Sequence, residues 1–157
     1  MPSRFVLIGK TKESWLKSGM AEYVSRIKRY TRFEVLELNP PKLSAKAPES
    51  EWKKREFQLL QEQTKGHRVL LDVSGRQLDS PAFAQYLEQT ELSGQGHIDF
   101  IVGGPYGFDQ AMYDLVPAKH RLSLSAMTYS HQIVRLVFLE QLYRAYTIRR
   151  GEPYHHA

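Results

Sequence analysis

The chain has 157 residues, no cysteine, and 22 Lys plus Arg against 17 Asp plus Glu. That length suits one domain with a real core, and the lack of cysteine excludes disulfides, thiolate nucleophiles and thiolate metal sites. No apolar run approaches the ~18 residues that cross a bilayer, and the short apolar start before Gly9 reads as a first strand, not a signal peptide. A cytoplasmic protein is expected, without a membrane or a metal as partner.

Arg4 to Gly9 is a buried strand in this reading. Trp15 to Tyr30 follows as a helix, with Leu16, Met20, Tyr23, Val24 and Ile27 on one stripe. Phe33 to Leu38 is the next strand, with Phe33, Val35 and Leu38 turned inward. Asn39 to Pro48 is a loop by its prolines. Glu51 to Gln63 is a weakly patterned helix anchored by Trp52, Phe57, Leu59 and Leu60, with a basic run at Lys53, Lys54 and Arg55. Arg68 to Val73 is a strand running into Ser74-Gly75-Arg76. Ser80 suits the cap of a helix with Pro81 at its first position, and Phe83 and Leu87 give that helix its apolar pair. A turn over 93–96 leads to the strand Ile98 to Val102.

Gly103-Gly104-Pro105 breaks that strand, and a short helical pattern then runs to Pro117. Arg121 to Ser125 is the last strand, and Ile133 to Tyr146 is a helix apolar on nearly every side. Such a helix needs cover on more than one side, and a second protomer or a loop is the expected cover beyond the sheet. Strands alternating with helices predict α/β architecture, a mostly parallel sheet with helices on both faces. The charge is uneven along this order. Residues 1–66 hold 14 basic and 8 acidic side chains, a net of +6, whereas residues 67–157 hold 8 and 9, a net of −1. A polyanionic partner fits the basic half.

The familiar catalytic signatures are missing. Gly103-Gly104-Pro105-Tyr106-Gly107 is not a dinucleotide fingerprint, and there is no P-loop, no paired-histidine zinc motif and no nucleophile elbow. What remains is three strand ends: Leu71 to Gly75, Ile101 to Pro105 and Leu124 to Tyr129. Glycines let a ligand approach the backbone closely. Leu71, Leu124, Ala126 and Met127 offer apolar walls for a flat ring.

The segments LLDVSGR at 70–76, FIVGGPYGF at 100–108, LSLSAMTYSHQIVRLVFLEQLYRAY at 122–146 and PYHHA at 153–157 closely resemble the RlmH family. These are bacterial 23S rRNA pseudouridine-N3 methyltransferases of the SPOUT superfamily. The resemblance covers essentially the whole chain and implies a single SPOUT domain over 1–157. Its part from about 68 to 157 would carry a deep trefoil knot and the cofactor site. It further implies S-adenosyl-L-methionine as cofactor, a homodimer, and 23S rRNA within the ribosome (the helix 69 loop) as substrate. Carried over by position, it sets Leu71, Gly103, Gly104, Leu124, Ser125, Ala126, Met127, Thr128 and Tyr129 against the cofactor. Tyr154 and His155 would serve the substrate from across the dimer. Many relatives carry Lys or Arg where this chain has His156, so the charge there is weaker and pH-dependent.

Methyl transfer from a sulfonium needs in-line positioning and no metal. The imide N3 of pseudouridine must also lose a proton, so a general base is expected. His155 is the first candidate and His131 the second, with Asp72 a structural acid at a strand end. Two alternatives compete: a ribosome- or RNA-binding factor without chemistry, and a SPOUT methyltransferase acting on tRNA.

Overall fold

The computed structural model describes residues 2–94 and 96–156. Gln95, inside the expected turn over 93–96, lies outside the described residues. The strands are β1 (Ser3–Ile8), β2 (Phe33–Leu38), β3 (His67–Gln77), β4 (Ile98–Val102) and β5 (Arg121–Ser123). The helices are α1 (Ser14–Ile27), α2 (Glu49–Gln63), α3 (Ser80–Leu92), α4 (Gln110–Leu115) and α5 (Ile133–Arg149), with a single 3-10 turn over Ala118–His120. The strands form one sheet in the order β2-β1-β4-β3-β5, and every pairing is parallel.

Side chains alternate across the sheet and build a core on each face. Phe5, Leu7, Val69, Phe100 and Val102 pack under α1, α3 and α5, whereas Val6, Leu70 and Ile101 pack with Leu60 of α2 and Met112 of α4. The expected architecture is therefore present. Leu38 is buried, but under α2 and not on the side of Phe33 and Val35, because an odd spacing crosses the sheet.

Local chemistry explains where elements begin and end differently from the reading above. α1 stops at Ile27, since its last turn tightens: Arg29 N–H bonds the Arg26 carbonyl at 3.2 Å and Tyr30 N–H the Ile27 carbonyl at 2.9 Å. Asp79, not Ser80, caps α3; its carboxylate accepts from Ala82 N–H at 2.9 Å, while the Ser80 hydroxyl donates to Gln141 at 2.7 Å. Of the expected α2 anchors only Leu60 is buried, and the other buried position is Glu56. β3 continues past Val73, because its pairing with β5 jumps from Leu71 to Arg76 and lets residues 72–75 bulge out of the ladder. Gly75 permits this: a Cβ there would meet the Arg121 carbonyl carbon at 2.6 Å.

α5 finds most of its cover within the chain. Phe138 and Leu142 are fully buried, and the Phe138 ring lies 4.6 Å from that of Phe5 and 5.0 Å from that of Phe100. α1 and α3 flank the helix on the sheet. One protomer thus covers most of the apolar circumference of α5, while Ile133 stays exposed and Val134, Leu136 and Val137 half-buried. Its polar break at Arg135 is also buried: the guanidinium donates to Thr11 Oγ1 (2.9 Å), Glu37 (3.1 Å) and the Ile8 and His131 carbonyls (3.2 and 3.1 Å). This strut ties the start of α5 to the ends of β1 and β2.

Candidate active site

β3 lies between β4 and β5, so the loops after these three strands emerge side by side at the carboxyl end of the sheet. They border one cleft of about 500 Å³, within the ~300–1,000 Å³ usual for cofactor sites. Leu71, Gly103, Gly104, Leu124, Ser125, Met127, Thr128 and Tyr129 all line it. Ala126 is exposed on the same loop but is not part of the lining. The loop is shaped by its own serines: Ser123 Oγ donates to the Ser125 carbonyl at 2.8 Å, and Met127 N–H donates to Ser125 Oγ at 2.9 Å. Leu71, Val102 and Leu124 give the apolar walls, and the glycine and serine segments present backbone groups. These features fit a ligand with a flat ring and a polar tail. A larger cavity of about 880 Å³ opens at the amino-terminal end of the strands, among charged side chains. Open α/β sheets take their ligands at the carboxyl ends, so the smaller cleft is the better cofactor site.

Gly103 and Gly104, two of the three glycines that line this cleft, have a reason that the sequence did not disclose. Neither has a positive φ. A Cβ on Gly104 would stand 2.6 Å from the Glu56 carboxyl carbon, and one on Gly103 would meet the Phe108 ring at 3.3 Å. Gly104 therefore admits Glu56 behind the loop, and Gly103 admits the Phe108 ring, which itself borders the cleft. Glu56 is 4% exposed, and one of its oxygens has no hydrogen-bond partner. Burial pushes its carboxyl above the usual range, against a smaller pull from the Gly104 backbone N–H. Glu56 was missed because a glutamate in a charged helix reads as surface. The available signal was its i, i+4 spacing to Leu60, which puts both on the inner face.

His131 lines the cleft at the start of α5. Desolvation, then the charge of Arg135, hold its pKa below the ordinary value, while a hydrogen bond with the Gly103 backbone pulls the other way. Its imidazole is accordingly neutral at pH 7 and able to accept a proton. Ser130 sets the turn: its Oγ accepts from Ile133 N–H at 3.1 Å. Asp72 accepts from Tyr113 Oη at 2.8 Å and from the Ser74 hydroxyl, and it borders the cleft as well. Burial, then Asp72, push the Tyr113 phenol up to about 12, so this bond keeps its proton on tyrosine.

Tyr154 and His155 do not line this cleft. Tyr154 packs on Tyr143, with ring centroids 4.7 Å apart, and donates to Glu140 at 3.1 Å. His155 Nδ1 accepts from Arg144 at 3.1 Å. Glu140 and Arg144 stand six and ten residues beyond Val134, which lines the cleft; that is about 9 and 15 Å along the helix. Within one protomer the tail is separate from the cleft.

A parallel sheet with a ligand cleft of three loops at its carboxyl end, a neutral histidine in that cleft and no P-loop is consistent with a group-transfer enzyme. The family profile described as "Predicted SPOUT methyltransferase" matches residues 1–155. The chain belongs to the SPOUT methyltransferase family, and membership implies the knotted carboxyl-terminal segment. Among its relatives, the ribosomal RNA large subunit methyltransferase H of Cytophaga hutchinsonii is 45% identical over 152 residues, covering 95% of this chain and 96% of that protein. The protein of the same name from Ruminiclostridium cellulolyticum is 43% identical, covering 94% and 95%. The solved tRNA (m1G37) methyltransferase of Aquifex aeolicus shares the fold, with a TM-score of 0.52 at 17% identity over 92% of this chain and 70% of that one.

Proposed function

We propose that the protein methylates N3 of a pseudouridine in 23S rRNA, in the helix 69 loop of the assembled ribosome, with S-adenosyl-L-methionine as donor. The observation that carries this reading is the three-loop cleft with neutral His131 on its wall, together with relatives named for the large ribosomal subunit. When bound, the cofactor supplies an electrophilic methyl group whose carbon–sulfur bond breaks with its electron pair going to sulfur. Leu71 and Leu124 would hold the flat ring, and the backbone of the Leu124 to Tyr129 loop would offer it hydrogen bonds, since the Gly104 N–H is held by Glu56 and its carbonyl by Gly107 N–H. The target base enters from the open side. His131 takes the N3 proton as the new nitrogen–carbon bond forms, so atoms and charge balance. His155 is the less suitable base in its present contact. Arg144 can only donate, so Nδ1 accepts, and a neutral ring then carries its proton on Nε2. That Nε2 is buried and without a partner within the protomer, so it could meet a carbonyl of the target base only if the tail reseats.

The tail reaches a cleft only if it belongs to a second copy, so the reading includes a homodimer with shared sites. Exposed apolar side chains around the cleft support it: Val73 is 60% exposed, Tyr106 44% and Met127 78%. The test is mass spectrometry of 23S rRNA from a bacterium deleted for its own enzyme, with this chain or its His131→Gln variant supplied. One added methyl on the loop pseudouridine with the wild-type chain, and strongly reduced methylation with the variant, is expected. Unmethylated pseudouridine in the presence of the wild-type chain refutes the assignment.

A further inference from the structure

A cavity of about 880 Å³ lies at the far end of the sheet from the cofactor cleft. Its walls are the first residues of β1 and β2, the turn after α1, and the segments that lead into β3 and β4. Lys28, Arg29, Arg32 and Lys65 line it, all are exposed, and none is ion-paired with a carboxylate among the described residues. Arg4 and His97 also line it, but they are occupied by Asp99, at 2.8 and 3.3 Å. The remaining acid in the wall is Glu34. The carboxyl end of α1 offers only about half a negative charge to Lys28 and Arg29. Arg150 adds a further cation beside the cavity, 5.1 Å over the Tyr30 ring. Four free cations facing one acid is more than local structure requires.

The wall has charge but no platform for a base. Tyr30 is its one tyrosine, and that ring is stacked on Tyr146 at 5.4 Å and 7°, with its hydroxyl donating to Glu152. A site of free cations without a free aromatic face contacts phosphates and does not read bases. We propose that this cavity is a docking site for the phosphate backbone of ribosomal RNA flanking the target nucleotide. The proposal rests on the reading that the substrate is rRNA. A six-residue strand such as β1 is about 20 Å long. RNA held here is therefore a neighbouring segment, and the site contributes affinity without touching the reacting atoms. Of the other lysines in the basic half, Lys53 lines the cofactor cleft instead.

The experiment uses the Lys28→Glu/Arg32→Glu double variant, with Lys28→Gln/Arg32→Gln as a milder control for folding. Binding of protein-free 23S rRNA and of intact ribosomes is measured by filter retention across a salt series, and cofactor affinity by calorimetry. Two lost phosphate contacts predict binding weaker by roughly 10- to 50-fold near 100 mM salt, and a salt slope shallower by about 1.4–1.8. Cofactor affinity and kcat at saturating ribosome stay unchanged. Unaltered RNA affinity and slope overturn the proposal. So does weaker ribosome binding with unchanged binding of free 23S rRNA, which would mean that a ribosomal protein occupies the cavity. Equal loss of cofactor affinity would make the cations structural and overturn it too. A wild-type chain that transfers no methyl group sinks the proposed function alone, because RNA affinity and its salt slope are read without catalysis.

Discussion

Gly104→Ala is the sharpest probe of the cofactor loop. The added methyl group would stand 2.6 Å from the carboxyl carbon of Glu56, whose side chain is fixed on the inner face of α2 beside Leu60. Overpacking of this kind costs about 1–3 kcal/mol. Pushing the carboxyl aside also breaks its bond with the Gly104 N–H and strands a buried donor, for roughly another 1–3 kcal/mol. If Glu56 holds, the loop must shift toward the cleft, and part of the cost appears as weaker cofactor binding. Urea unfolding and calorimetric titration measure the two shares. Glu56→Ala opens the space, so the double variant should be more stable than the sum of the single losses by about 1–3 kcal/mol. A Gly104→Ala protein with wild-type stability and affinity, or strict additivity with Glu56→Ala, refutes it.

The same glutamate has a pH signature. Its folded pKa is raised, so the folded state binds a proton more readily than the unfolded one. Stability from this group is full below the unfolded value of about 4.3 and is lost as pH rises through the folded value; Glu56→Gln should flatten that part of the urea-midpoint profile. His131 has the opposite shift. With His131 as base, kcat should rise with pH through an inflection below about 6.5, and His131→Gln should remove that limb in a pH–rate series. Arg135→Ala should cost about 1–3 kcal/mol or more in urea unfolding, because it removes a buried guanidinium's hydrogen bonds to Thr11 and two carbonyls; the exposed Glu37 keeps its bonds from Thr11. Asp79→Ala should cost about 1 kcal/mol as a lost cap, measured the same way, whereas Ser80→Ala should leave α3 capped.

The sheet was legible because its strands are short apolar runs ending in glycine or polar turns. β2 and β4 were read with the bounds they have, and the three loops were rightly grouped because each follows a strand. Arg135 and Glu56 were not legible. A charged residue in a helix is ordinarily solvated, and only the third dimension brings Glu37 and Thr11 to the one and Gly104 to the other. The cover of α5 was legible only in part. Composition shows how much apolar surface a helix carries but not that α1, α3 and the sheet bury most of it, leaving Ile133 exposed and Val134, Leu136 and Val137 half-buried. The bulge over 72–75 left one trace in the sequence, Gly75, whose need arises from β5 some 46 residues later.

The position of β4 has a consequence for how the chain reaches this state. β4 lies between β1 and β3, pairing Phe5 with Phe100 and Val69 with Phe100. Until it is made, the earlier strands form two separate patches, each with an open edge of unpaired backbone groups. Such edges recruit other chains, and pairing across so long a stretch is slow to nucleate. During synthesis, joining of the sheet therefore waits for residue 102 to clear the ribosome. Fragments ending before Ile98 should aggregate, whereas chains that extend past Val102 should begin to resist it.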